Sequence, residues 1–181
     1  MKTSIFAVMI TEMLQSGRSK AQINLIVQWI GADPDRLALL MDVLMGTDRK
    51  LAEYAAWVVG TIGQKQPLRF EPWYPEMVAL LHNRTVHPAV HRNILRIFVQ
   101  SGPPVSVFES LTEACFVFLD DPQSDIAIRA FSIHILAKIC KKEPELWTEF
   151  KHLLELHTPH GSAGLRGIGK KYLEYIAKHG L

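Results

Sequence analysis

Apolar residues recur every three or four positions along almost the whole chain, and the strict alternation of a half-buried strand is missing. The chain reads as all-α. Asp33-Pro34 sets a capping carboxylate before a proline at the first helical position; Leu37, Leu40, Met41 and Leu44 then share one face until Gly46 stops the run. Thr47 or Asp48 caps a second helix through Leu51, Ala55, Trp57, Val58 and Val59, whose regularity is expected to fail around Gly60 and Gly63. Three further helix pairs follow: Pro75 to His82 with His87 to Gln100, Ser106 to Leu119 with Asp125 to Lys141, and Pro144 to His157 with Ser162 to His179. Ser101-Gly102-Pro103-Pro104 separates the first of these pairs from the second.

Alignment of the second helices gives a period, because Arg92, Arg129 and Arg166 stand at equal spacing. Leu119 and Leu156 precede the last two arginines by the same interval, as do Phe116 and Leu153, while Leu136 and Leu173 follow them by another. Such a pair cannot bury its apolar face alone and stacks on its neighbours. The expected architecture is an α-α superhelix, a solenoid of about four helix pairs at 33–66, 67–103, 104–142 and 143–181, after an N-terminal helical segment over 1–32. All of 1–181 is read as a single domain.

Asp121-Pro122-Gln123-Ser124-Asp125-Ile126-Ala127-Ile128-Arg129-Ala130-Phe131 resembles the turn and second helix of a HEAT repeat. The stretches Ala55-Ala56-Trp57-Val58, His91-Arg92-Asn93-Ile94-Leu95-Arg96-Ile97, Ala130-Phe131-Ser132-Ile133 and Ser162-Ala163-Gly164-Leu165-Arg166 are similar to a group of short, uncharacterised bacterial HEAT-like proteins. Some of that group carry an adenylosuccinate lyase label. Lyases of the fumarase and aspartase superfamily share a Ser-Ser-x-Met-Pro-x-Lys-x-Asn loop, which this sequence lacks. The resemblance therefore implies a protein-binding solenoid and no lyase.

Charge narrows the classes further. Twenty Lys and Arg against 18 Asp and Glu leave a net +2, and neither half is basic or acidic. That balance disfavours a protein whose main affinity comes from neutralising phosphates. Cys115 and Cys140, the two cysteines, sit in apolar runs, as expected of reduced thiols in a cytoplasmic protein. The start through Ile10 has the apolar look of a signal peptide, but Glu12 cuts it short and it reads as a first helix. No run approaches the ~18 apolar residues of a membrane span.

Candidate chemistry is sparse. His87 and His91 lie four apart with His82 nearby, a metal-ligand spacing, yet Pro88 makes a capping or structural role the better reading, and His157 and His160 flank a turn in the same way. Gly164 to Lys170 fits Gly-x4-Gly-Lys, but no strand precedes it. Gly167-Ile168-Gly169 with Lys170 and Lys171 is similar to the hairpin of helix-hairpin-helix DNA-binding motifs. Neither a catalytic constellation nor a cofactor or metal site is expected. The best binding surface is the concave face lined by Arg92, Arg96, Arg129, Arg166 and Lys170, taking a protein or acidic peptide, with a nucleic-acid backbone as the rival ligand, as in HEAT-like DNA-repair glycosylases. Alternatively the arginines form a ladder with acidic residues such as Asp125 and fix repeat stacking. Trp29, Trp57, Trp73 and Trp147 are expected in the core.

Overall fold

The computed structural model describes residues 2–17 and 19–181, with side chains from Ile5 onward. Among the described residues ten α-helices and no strand occur: α1 Lys2–Gln15, α2 Lys20–Ile30, α3 Pro34–Met45, α4 Arg49–Gly63, α5 Tyr74–His82, α6 Pro88–Ser101, α7 Phe108–Asp120, α8 Ile126–Cys140, α9 Trp147–His157 and α10 Ala163–His179. They form two compact units, 1–100 and 101–181. Short 3-10 turns over Pro67–Trp73, Val105–Val107 and Pro144–Leu146 lead into α5, α7 and α9, so these helices start later than proline and apolar spacing suggested for α7 and α9. Proline opens or precedes each turn, because its fixed φ suits the first turn and it has no N–H to satisfy.

In the first unit, the caps are local hydrogen bonds. Asp33 accepts from the N–H groups of Asp35 and Arg36, and Asp48, rather than Thr47, accepts from Lys50 and Leu51. Ser19 caps α2 in the same way, and Gly31, at φ 48°, ends it. Ile10 and Leu14 of α1, Ile23, Ile26 and Ile30 of α2, and Leu40, Met41 and Leu44 of α3 are buried at helical spacing, with α3 and α2 both packed on α4. The apolar start of the chain is indeed a helix. Contrary to the sequence expectation, α4 runs unbroken through Gly60, and it ends at Gly63. Both glycines are contact points: Asn93 and Ile97 of α6 sit where their β-carbons would be.

The second unit holds two helix pairs, α7 with α8 and α9 with α10. First helix packs on first helix (α7 on α9) and second on second (α8 on α10), so a two-layer arrangement follows from repetition of one hairpin. Leu111, Cys115, Leu119, Ile133, Leu136, Phe150 and Leu154 fill the layer between, each fully buried. A side chain such as Phe150 contributes about 1.5–3 kcal/mol by that burial. Burial pushes both thiols, Cys115 and Cys140, up to about 12, so they stay protonated and unreactive.

Candidate functional site

Numbering each second helix from its first residue shows what the arginine column does. The fourth residues of α6, α8 and α10 are His91, Arg129 and Arg166. His91, 4% exposed, presents Nε2 to the carbonyls of Leu80 (3.0 Å) and Asn83 (3.2 Å) at the end of α5. Arg129, 6% exposed, donates from Nη2 to the carbonyl of Leu119 (3.3 Å) at the end of α7. Arg166 donates to the carbonyl of Gly161 (2.7 Å) in the turn after α9. Helix ends leave carbonyls without intrahelical partners, and these three side chains each bind one at or beyond the end of the preceding helix. The anchor is therefore intra-repeat; burial lowers the Arg129 pKa, and Asp121 and Asp120, not Asp125, oppose that shift.

Arg92 is not a member of this set. The step from α6 to α8 is one residue longer than the step from α8 to α10, and the extra residue places His91 where equal spacing had put Arg92. Arg92 and Arg96 stand one turn apart on α6, half-buried; burial, then the charge of Arg92, lowers the pKa of Arg96. The Arg92 Nε is buried and makes no hydrogen bond. Two like charges this close favour an anion beside them.

Arg166 and Lys170 line a groove of about 580 Å³ with Thr158, Pro159, Leu173 and Glu174. In α8 the register equivalents of Lys170, Leu173 and Glu174 are Ile133, Leu136 and Ala137, all buried. In α10 Lys170 and Glu174 are exposed and Leu173 is half-buried, so this face carries charge where α8 carries core. Gly167-Ile168-Gly169 lies in mid-helix, so neither a phosphate-binding loop nor a DNA-binding hairpin forms there. Gly169 packs on Thr158, whose hydroxyl donates to the Leu154 carbonyl.

His87, His91 and His157 have structural partners. His87 accepts the Ala89 N–H through Nδ1 at the start of α6, and His157 Nε2 lies 2.9 Å from Asp120 across the two first helices of the second unit. Among the described residues no three His, Cys, Asp or Glu side chains form a metal-holding group. Trp147 is buried, but Trp57 is 40% exposed, which corrects its placement in the core: as the ninth residue of α4 it faces away from the α4 core stripe, and its register equivalents are Arg96, His134 and Lys171.

Formal charge sorts by helix. The first helices α3, α5, α7 and α9 carry −1, −1, −3 and −1, and the second helices α4, α6, α8 and α10 carry +1, +2, +2 and +3. Each acidic helix precedes its basic partner, so sums over half the chain cancel to near zero. A family model for the HEAT repeat domain matches residues 10–176. The chain belongs to the HEAT repeat family. With ten helices in pairs its fold class is the α-α superhelix. No curated protein and no solved structure matches it. No helix among the described residues of this HEAT protein is long and apolar enough to cross a membrane.

Between the C-terminal parts of α8 and α10 lies a second basic cluster that motif reading missed. Lys141, Lys171, Tyr172, Glu174, Tyr175 and Lys178 line a depression of about 330 Å³. Tyr172 and His134 hydrogen-bond across the two helices at 3.0 Å with their rings edge-on. Burial, then Lys171 and Lys138, lower the His134 pKa, and burial raises that of Tyr172. Burial also lowers that of His91, against the pull of its two carbonyl partners. Both histidines therefore resist a proton that the unfolded chain takes up near 6.5. Sign follows from linkage: as pH falls through that value the unfolded state binds more protons and native stability drops. We expect a lower Tm at about pH 5.5 than at about pH 7.5, with the difference reduced in His134→Gln. An unchanged difference in that variant would remove His134 from the account.

Proposed function

We propose that this HEAT protein is a non-enzymatic interaction or scaffold module that holds an acidic protein or peptide against its second helices. The observation that carries the reading is the sorting of charge, negative on every first helix of the four pairs and positive on every second. Arg92, Arg96, Arg166 and Lys170 supply charge accessible at the surface, while Arg129 holds α8 on the end of α7 from beneath. Family membership supports the interaction class, since HEAT repeats generally present extended surfaces to partners. Among the described residues no constellation supports catalysis, and adenylosuccinate cleavage is expected to be absent in an absorbance assay.

The same basic helices favour a nucleic-acid backbone as the second reading. Against it stand the mid-helix position of Gly167-Ile168-Gly169 and the acidic first helices. The test is affinity capture from native lysate in nuclease-treated and untreated halves. The wild type is compared with two charge reversals, Arg92→Glu with Arg96→Glu, and Arg166→Glu with Lys170→Glu, each checked by circular dichroism. Proteins that survive nuclease and are lost from a folded reversal variant are the expected result. Identical capture by wild type and both variants, or co-purification of nucleic acid alone, contradicts the reading.

A further inference from the structure

We propose that the depression between the ends of α8 and α10 is a docking site for an acidic segment of a partner protein, whose carboxylates meet Lys141, Lys171 and Lys178. The proposal rests on the interaction-module reading and names the chemistry of one subsite within the second unit.

Three features carry it. Repetition brings the lysines together: α10 packs on α8 in register, so Lys178 falls beside Lys141 and Lys171 beside His134, although the residues are far apart in the chain. Two of the three ammonium groups are pre-positioned, with Lys141 Nζ 5.2 Å from the centre of the Tyr175 ring and Lys171 Nζ 5.6 Å from that of Tyr172. Cation–π contact holds each charge over a ring without neutralising it. Counter-charge is scarce, since among the described residues Glu174 is the one carboxylate lining the depression, and it lies 3.7 Å from Lys170.

The occupant follows from what the rings can still do. Single-stranded nucleic acid is gripped by stacking bases on open aromatic faces. Tyr175 is already stacked on His179 at 4.1 Å and flanked by Trp147 at 5.7 Å, with Lys141 over it. Tyr172 is engaged by His134, Phe150 and Lys171. The rings serve as a floor and leave the ammonium groups and lysine stems as the binding chemistry. A few side chains combining methylenes and carboxylates fit that lining and that volume.

Fluorescence anisotropy of a labelled oligoglutamate peptide against the full chain at low salt tests the site, with labelled single-stranded DNA of equal charge in parallel. Exposed lysine pairs contribute modestly, so the triple variant Lys141→Ala, Lys171→Ala, Lys178→Ala is expected to weaken the peptide by about tenfold, and added salt to weaken the wild type. Lys20→Ala with Lys65→Ala, exposed and outside the depression, is expected to change it by less than about twofold. Loss of peptide binding in Arg166→Ala with Lys170→Ala or in Arg92→Gln with Arg96→Gln, and not in the lysine triple, overturns this site and leaves the interaction reading standing. Tighter binding of the DNA, lost in the lysine triple, overturns the acidic segment in favour of nucleic acid. No binding of the peptide by the wild type overturns the site, and the capture experiment then decides the broader reading independently.

Discussion

Arg129→Ala is expected to lower stability by about 2 kcal/mol, because a buried acceptor left unsatisfied costs about 1–3 kcal/mol. The acceptor is the Leu119 carbonyl at the end of α7, and Arg129, whose guanidinium satisfies it, is 6% exposed. One term opposes the loss: the charge is desolvated and its Nε makes no hydrogen bond, so removal also relieves a burial cost. The carbonyl and the emptied stem volume outweigh it, and Tm is expected to fall by about 4–8 °C for a chain of this size. Arg129→Met, which keeps the stem, should fall less. Arg166→Ala, at the same helix position but exposed, should stay within about 0.5 kcal/mol of wild type. Thermal unfolding by circular dichroism reads all three. An Arg129→Ala protein as stable as wild type would remove the anchoring role.

Gly60→Val is expected to be strongly damaging, costing about 3 kcal/mol. A β-carbon at Gly60 would overlap the Asn93 Oδ1 and lie 2.8 and 2.9 Å from Asn93 Cγ and Cβ, atoms too near the α6 backbone to swing aside. Asn93 is also held by its bond to the Ala89 carbonyl, 2.8 Å. At Gly63, one turn on, a β-carbon would lie 2.8 Å from Ile97 Cδ1. Gly60→Ala regains about 1 kcal/mol of helix propensity and should be milder than valine, which regains little. Gly167 has nothing within reach of an added carbon, so Gly167→Ala should instead stabilise by up to about 1 kcal/mol. Chemical denaturation midpoints distinguish these outcomes; a wild-type midpoint for Gly60→Val would show that α4 and α6 do not make the close contact.

The helix pairs and several of their caps were legible from the chain itself because their causes are local. Asp33-Pro34 and Asp48 cap helices by bonds two or three residues long. The register of the second unit was legible for the same reason, since α8 and α10 start at the spacing that Arg129 and Arg166 share. Matching by residue identity failed at α6, where a buried histidine performs the arginine's task one position earlier. Gly60 looked like a helix breaker because a sequence does not show which neighbour approaches. The lysine depression escaped notice for two reasons. Its members come from two helices far apart in the chain, and charge summed over halves mixes each acidic helix with its basic partner. Summation by helix order, first against second, is the signal that would have found it.

Hydrogen exchange of the full chain, alone and bound to a partner recovered by capture, tests the central claim most directly. Slowed exchange is predicted on the second helices α6, α8 and α10, including the turns that carry Lys141 and the end of α10, with α5, α7 and α9 unchanged. Protection confined to the acidic first helices would contradict it.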